Sequence, residues 1–215
     1  MLLIFDWDGT LVDSREEIVR ALQAAIAELA LPPRSDQECA NIIGLGLAES
    51  VEALYPGLSS AQGEAMAQSY SKHFLAQNQP LSDNQYFPGA RQTLANLRER
   101  GHRLAVATGK SRRGLDRVLA RGDAASWFVA TRTADETASK PNPLMLGELL
   151  EETGVTASEA VMIGDTSYDM EMAQQLGMPR VAVSYGVHDR DRLAKYSPLA
   201  IIDEVEQLLQ LDGLG

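Results

Sequence analysis

The tightest limit on the fold is a set of short apolar runs, each closed by a polar turn and followed by a helix-length stretch. Leu2–Phe5 runs into Asp6-Trp7-Asp8-Gly9-Thr10, and Arg103–Ala107 runs into Thr108-Gly109-Lys110. A weaker run, Phe128–Thr131, precedes Ser139-Lys140-Pro141. Ala160–Ile163 leads into Gly164-Asp165, and Arg180–Ser184 into Tyr185-Gly186. Runs this short, bounded by turn residues, suit buried strands. Between them the spacing predicts helices at about Ala90–Arg100, Arg112–Ala120, Asn142–Thr153 and Ser167–Leu176. Gly101, Gly154 and Gly177 mark three of the stops. Strands alternating with such helices predict a parallel sheet covered on both faces.

One stretch breaks the alternation. From Ser14 to about Asn84 the chain reads as helix only. Ile18, Leu22, Ala25, Ile26 and Leu29 fall on one stripe. Ser14 is the expected N-cap, Glu17 completes a capping box, and Pro32-Pro33 is the expected stop. Ser35–Ile43, Leu47–Leu54 and Ser59–Gln77 are the next predicted helices. A structureless loop of this length is rare in a compact domain. The expected architecture is therefore α/β: a Rossmann-like, doubly wound parallel sheet core (1–13 and 83–215) carrying an inserted all-helical cap (14–82). The edges are expected near Asp13–Ser14 and Ser82–Pro88. The tail should give a short helix, an apolar run at Leu199–Ile202 and a last helix near Glu204–Leu211.

Composition removes several function classes. With 215 residues and 45% hydrophobic content, the chain can bury a sizeable core without staples. Nineteen Lys+Arg against 30 Asp+Glu give a net charge of −11, the wrong balance for a nucleic-acid binder. The single cysteine, Cys39, can form no internal disulfide, which fits a reducing compartment. No apolar stretch approaches the ~18 residues of a membrane span, and the N-terminal run is too short for a signal segment. A cytoplasmic protein with no membrane partner is expected; monomer and homodimer are both open.

In open α/β sheets, ligands bind at the carboxyl ends of the strands. The residues expected there are Asp6, Asp8, Thr108, Lys140, Asp165 and Asp169. Each motif alone has a plain reading as a turn, a helix cap or a solvated lysine. Four carboxylates on one rim, however, repel unless a divalent cation sits among them. Ligands that are all oxygen favour a hard ion such as Mg2+.

Taken in order, Asp6-x-Asp8-Gly9-Thr10-Leu11, Thr108, Lys140-Pro141 and Gly164-Asp165-(x)3-Asp169 resemble the four motifs of the haloacid dehalogenase-like hydrolase superfamily. The helical insert after the first motif is similar to the cap of its phosphoglycolate-phosphatase-like branch. The resemblance implies a phosphatase acting on a small phosphorylated metabolite. Asp6 would be the nucleophile, forming an aspartyl-phosphate, and Asp8 the general acid and then base. Gly9 would permit the turn that aims both at one phosphoryl group. Thr108, with Gly109, would bind phosphate, and Lys140 would supply the positive charge. Asp6, Asp165 and the backbone carbonyl of Asp8 would ligate Mg2+, with Asp169 joining directly or through water.

Departures narrow the chemistry that the resemblance implies. Dehalogenase relatives lack the aspartate that stands here as Asp8. The phosphonate-cleaving branch carries a Schiff-base lysine where this chain has Leu47, and the sugar phosphomutase branch a histidine where it has Ile18. Pyrophosphatase and 5′-nucleotidase activities share the core and stay open. A receiver-like phospho-accepting module is the alternative from another class. An acceptor on the first strand and a large helical insert count against it. Outside the motifs, Gly44-Leu45-Gly46 is either a specificity loop or a plain helix break. Arg15 and Arg20 are the cap cations expected to reach inward, and His188 is a candidate substrate contact on the rim.

Overall fold

The computed structural model describes residues 1–77, 86–120 and 124–213. Its strands are β1 (Leu2–Phe5), β2 (Arg103–Thr108), β3 (Phe128–Thr133), β4 (Ala160–Gly164), β5 (Arg180–Val183) and β6 (Ala200–Ile202). They form a six-stranded sheet in the order β3-β2-β1-β4-β5-β6, every neighbouring pair parallel. The helices are α1 (Arg15–Glu28), α2 (Asp36–Asn41), α3 (Leu47–Leu54), α4 (Ser60–Gln77), α5 (Ala90–Glu99), α6 (Arg112–Leu119), α7 (Leu144–Thr153), α8 (Ser167–Gln175) and α9 (Arg190–Ala194).

The period-two alternation of each strand accounts for two covered faces. Leu3, Phe5, Leu104, Val106, Val161 and Ile163 meet Leu94 and Leu97 of α5 and Leu115 of α6 on one face. Leu2, Ile4, Ala105, Ala107 and Met162 meet Met145 and Leu149 of α7 and Met172 of α8 on the other. All four residues of β1 are fully buried. Each such side chain contributes roughly 1.5–3 kcal/mol relative to exposure. Because β1 pairs with β2 on one side and β4 on the other, its carboxyl end opens at the point where the winding reverses, the usual ligand crevice of such sheets.

Helices α1–α4 close a separate apolar core built on Ile18, Leu22, Ile26, Cys39, Val51, Leu54 and Met66, joined by Val187 from the loop after β5. The chain enters and leaves this layer side by side. Val12 bridges Tyr86, and Phe87 N–H donates to Leu11 O at 3.0 Å. The expected boundary at Ser82–Pro88 lies in part outside the described residues.

Three local expectations are corrected. Ser14 precedes α1 as its N-cap residue, but its side chain makes no cap bond, so the capping box with Glu17 does not form. Its hydroxyl donates instead to Asp8 Oδ1 at 2.6 Å. Helix α1 also ends before Pro32-Pro33, at Glu28, where Ala30 adopts a left-handed conformation (φ 49°) and turns the chain. The last predicted helix is a 3-10 segment, Val205–Gln210, whose Leu208 packs on the sheet.

Candidate active site

The first motif turns sharply after β1. Asp6 N–H still donates to Ile163 O at 2.9 Å, so its carboxylate leaves directly from the sheet edge. From Trp7 the backbone coils, with Leu11 N–H and Val12 N–H both donating to Trp7 O at 3.0 Å. Gly9 sits at φ 84°, and a Cβ there would lie 2.3 Å from Asp165 Oδ2. Both conditions require glycine. Its N–H donates to Val12 O at 2.8 Å, so Gly9 serves the turn itself. The coil brings Asp6 and Asp8 to one cavity, although strand alternation alone would part them.

Asp6, Asp165 and Asp169 converge, each offering one carboxylate oxygen within 4.8 Å of the others. Lys140 reaches into them from the loop after β3. Its Nζ lies 2.7 Å from Asp6 Oδ1 and 2.7 Å from Asp169 Oδ1, with its side chain fully buried. Three carboxylates against one ammonium leave an excess of buried negative charge. Burial therefore pushes the Asp6 carboxyl well above the usual range, with Asp169 and Asp165 adding to the rise and Lys140 opposing it. Asp165 is pushed up to about 7 by burial and then by Asp169, against bonds from Val187 N–H and the Thr10 hydroxyl and the charge of Lys140. Burial opposes the charge on Lys140, but Asp169 and Asp6 outweigh it and hold its ammonium above its ordinary value.

Each outer carboxylate is fixed by its own turn. Asp165 Oδ1 accepts from Thr10 Oγ1 at 2.8 Å, and Oδ2 from Val187 N–H at 2.9 Å. Asp169 closes a capping box on α8: its Oδ2 accepts from Thr166 N–H at 3.0 Å and from Thr166 Oγ1 at 2.6 Å. Asp6 Oδ2 is buried and accepts no hydrogen bond from the described residues. An orphaned carboxylate oxygen among all-oxygen donors of net negative charge fits a hard divalent cation. Asp6 Oδ2 keeps all its lone pairs for it, and each oxygen of Asp165 and Asp169 already has one or more partners.

Asp8 faces the same cavity with a different set of partners. Ser14 Oγ donates to its Oδ1, and Lys110 Nζ lies 2.8 Å from its Oδ2. Thr108 closes β2 at the cavity floor, its Oγ1 accepting from Lys110 N–H at 3.2 Å. The cavity measures ≈ 260 Å³ and is roofed by α1, the α2–α3 loop and α4. Gly109 lets that loop close in, because a Cβ there would meet Leu45 O at 2.4 Å and Gly44 O at 2.6 Å.

Several expected site residues are placed elsewhere. Gly44 and Leu45 line the cavity, but Gly46 is the N-cap residue of α3, and its N–H donates to Ser139 Oγ at 2.7 Å. Arg15 does not reach inward. It is exposed, with Nη2 at 3.5 Å from Gln37 Oε1 of α2, which turns it along the layer's outer side. His188 is buried outside the cavity lining. Its Nδ1 accepts from Ser167 N–H at 2.9 Å and its Nε2 faces Asn41 O at 3.2 Å, so it ties core to helical layer. Burial lowers its pKa. The sequence reading missed Lys110 and Ser14 as partners of Asp8, and Tyr70 in the roof. Lys110 had a signal, since it lies two residues beyond Thr108 in a strand-exit turn.

The parallel sheet, with an acidic cluster, a buried lysine and a strand-end threonine at its carboxyl edge, is of the α/β, Rossmann-like class. The haloacid dehalogenase-like hydrolase family model matches residues 3–183, and the chain belongs to that family, in its phosphoglycolate-phosphatase-like branch. It is 33% identical over 210 residues to the Dickeya dadantii (strain 3937) protein named Probable phosphatase IndB, covering 97% of this chain and 91% of that one. It is 33% identical to a phosphoglycolate phosphatase of Rhodospirillum rubrum, over 96% of this chain and 88% of the relative. Among solved structures, a haloacid dehalogenase-like hydrolase from Bacteroides fragilis superposes with a TM-score of 0.87 at 25% identity, covering 96% and 98% of the two chains. Among the described residues, no helix is long and apolar enough to cross a membrane.

Proposed function

We propose that this phosphoric monoester hydrolase is a Mg2+-dependent phosphatase of a small phosphorylated metabolite, working through an aspartyl-phosphate on Asp6. The observation that carries this reading is the buried, unpartnered Oδ2 of Asp6 inside a carboxylate cluster balanced by a single ammonium. Relatives named phosphoglycolate phosphatase support the substrate's size class. The unpaired Cys39 supports action in the cytoplasm.

Asp6 attacks phosphorus, the ester P–O bond breaks, and Asp8 gives a proton to the departing oxygen. Asp8, now a carboxylate, takes a proton from water as that water attacks the phosphoryl group, which releases phosphate and regenerates Asp6. Ser14 and Lys110 fix the direction of the Asp8 carboxylate. Thr108 accepts Lys110 N–H and keeps its own proton for a phosphate oxygen. Lys140, held by Asp6 and Asp169, presents a compact positive charge at the nucleophile. Asp6, Asp165 and the Asp8 carbonyl would hold Mg2+, with Asp169 joining directly or through water. When bound, the cation neutralises charge on the transferring phosphoryl group, the largest electrostatic demand of this chemistry. Residues 14–82 act as a cap over a core of 1–13 and 83–215, excluding bulk water from that step.

The test is turnover of p-nitrophenyl phosphate with and without Mg2+. Wild-type protein should turn over only with metal, and Asp6→Asn should lose at least about 10^4-fold in kcat. Metal-independent turnover, or an Asp6→Asn rate near wild type, overturns the reading.

A further inference from the structure

We propose that the substrate is the phosphate monoester of a small apolar alcohol, with a body of one ring or a short branched chain. Esters of polyhydroxylated or carboxylated alcohols fit less well. This inference rests on the phosphatase reading above and adds the organic half of the substrate to it.

Over a polar floor of Asp6, Asp8 and Thr108, the cavity presents hydrocarbon. Ile18 and Leu22 come from α1, Ile43 from the α2–α3 loop and Leu47 from α3. Tyr70 and Phe74 of α4 stack with ring centroids 5.7 Å apart at 26°. The roof's two serine hydroxyls are committed to backbone carbonyls: Ser50 to Ile42 O at 3.3 Å, and Ser71 to Ala67 O at 2.8 Å. Lys110, the lysine in the cavity lining, is paired with Asp8. Among the described lining residues, Tyr70 alone gives the roof a hydroxyl with no bond of its own. Arg113, exposed, and Arg117, half-buried, line the cavity from α6, where they draw a phosphate dianion inward.

Under the roof, a substrate rich in hydroxyls, or one carrying a carboxylate, would set those groups against Ile18, Leu22, Ile43, Leu47 and Phe74. The Tyr70 hydroxyl is the one roof group left to bond them, and buried polar groups without partners are costly. An apolar body loses nothing there and gains dispersion and desolvation. Size agrees: an apolar cavity of about 150 Å³ accepts one benzene ring. The ≈ 260 Å³ here therefore holds a single ring together with a phosphoryl group.

The experiment compares kcat/KM of the Mg2+-loaded protein on benzyl phosphate, phosphoglycolate, glycerol phosphate and acetyl phosphate. Acetyl phosphate has almost no organic body, and its leaving group needs no proton, so it reports the core chemistry alone. Benzyl phosphate should exceed phosphoglycolate and glycerol phosphate by at least about tenfold. In Leu47→Gln, checked for folding by its melting temperature, the ratio of benzyl phosphate to acetyl phosphate should fall by at least about tenfold. If acetyl phosphate is turned over but phosphoglycolate or glycerol phosphate matches benzyl phosphate, the substrate class is wrong and the phosphatase reading stands. An unchanged ratio in folded Leu47→Gln also overturns the substrate class. If none of the four compounds is hydrolysed, both readings fall together.

Discussion

The carboxyl edge of the sheet and the helical layer above it face each other across one cavity and are built in opposite ways. The edge concentrates charge: three carboxylates and an ammonium, all buried, with Asp6 and Asp165 directly after their strands, Asp169 in the first turn of α8 and Lys140 in the loop after β3. The layer facing it concentrates hydrocarbon, its serines turned back to the backbone. The contrast separates two tasks. The edge has the groups to stabilise a reacting phosphoryl centre, and the layer has the surface to select what is attached to it. Damage to the edge should therefore abolish the reaction and alter stability, whereas damage to the contact between the two should leave a working but poorly positioned site.

The largest effect should come from Lys140→Met. Removing the ammonium leaves Asp6, Asp165 and Asp169 buried with no opposite charge, a loss of about 3–5 kcal/mol for a broken buried ion pair. Urea unfolding of the metal-free protein should show it, turnover should be abolished, and Mg2+ should restore part of the stability. A variant as stable as wild type without metal would show that the cluster is not a strained anionic site.

Acidity gives the next test. Asp165 is pushed up to about 7 in the folded protein, against an ordinary value of 3.8. Between those values the native state holds a proton that the unfolded chain has released. Its contribution is present in full below the unfolded value and is lost as pH rises through about 7. The metal-free protein should therefore melt lower at pH 8 than at pH 6. A cation needs the deprotonated site, so the increase in Tm on adding Mg2+ should be larger at pH 8. Equal Tm increments at the two pH values would contradict this account of the cluster.

Gly109→Ala addresses the seam. Its Cβ would press on Leu45 O and Gly44 O and push the α2–α3 loop away from Thr108. A displacement of about 1 Å at a reacting centre can cost 10²-fold. Steady-state kinetics should show kcat/KM falling by about that factor with the fold retained. Unchanged kinetics would mean that loop contact does not set the geometry. The smallest effect is expected from Tyr168→Phe, which removes a 3.0 Å bond to Asn41 O while His188 still faces that carbonyl. Chemical denaturation should register about 1 kcal/mol or less; a loss of several would show that the layer hangs on this one contact.

This division also explains what could be read from the chain in advance. Asp6, Asp8, Thr108 and Asp165 each follow an apolar run directly, and a parallel sheet delivers such residues to one edge whatever the helices do. The sheet, the helix sequence and the motif residues were legible for that reason. Residues whose direction depends on packing between elements were not. Ser14 has the same letter whether it caps α1 or bonds Asp8, and only the coil at Trp7–Val12 decides. Arg15 shares a helix stripe with Ile18 and Leu22, yet Gln37 takes its guanidinium outward. His188 follows the fifth strand as expected, but the loop folds it under Asn41 and away from the cavity. The 3-10 form of Val205–Gln210 depends in the same way on packing against the sheet.

The central claim is that Asp6 carries the phosphoryl group, and mass spectrometry of the trapped enzyme tests it most directly. Asp8→Asn, loaded with Mg2+ and mixed with an excess of p-nitrophenyl phosphate, should be slow to regenerate, because the base that activates water is gone. Acid quench and digestion should then recover the peptide containing residue 6 with one added phosphoryl group, located on Asp6. A phosphoryl group on another residue, or wild-type turnover by Asp8→Asn with Asp6 unlabelled throughout, would contradict the account.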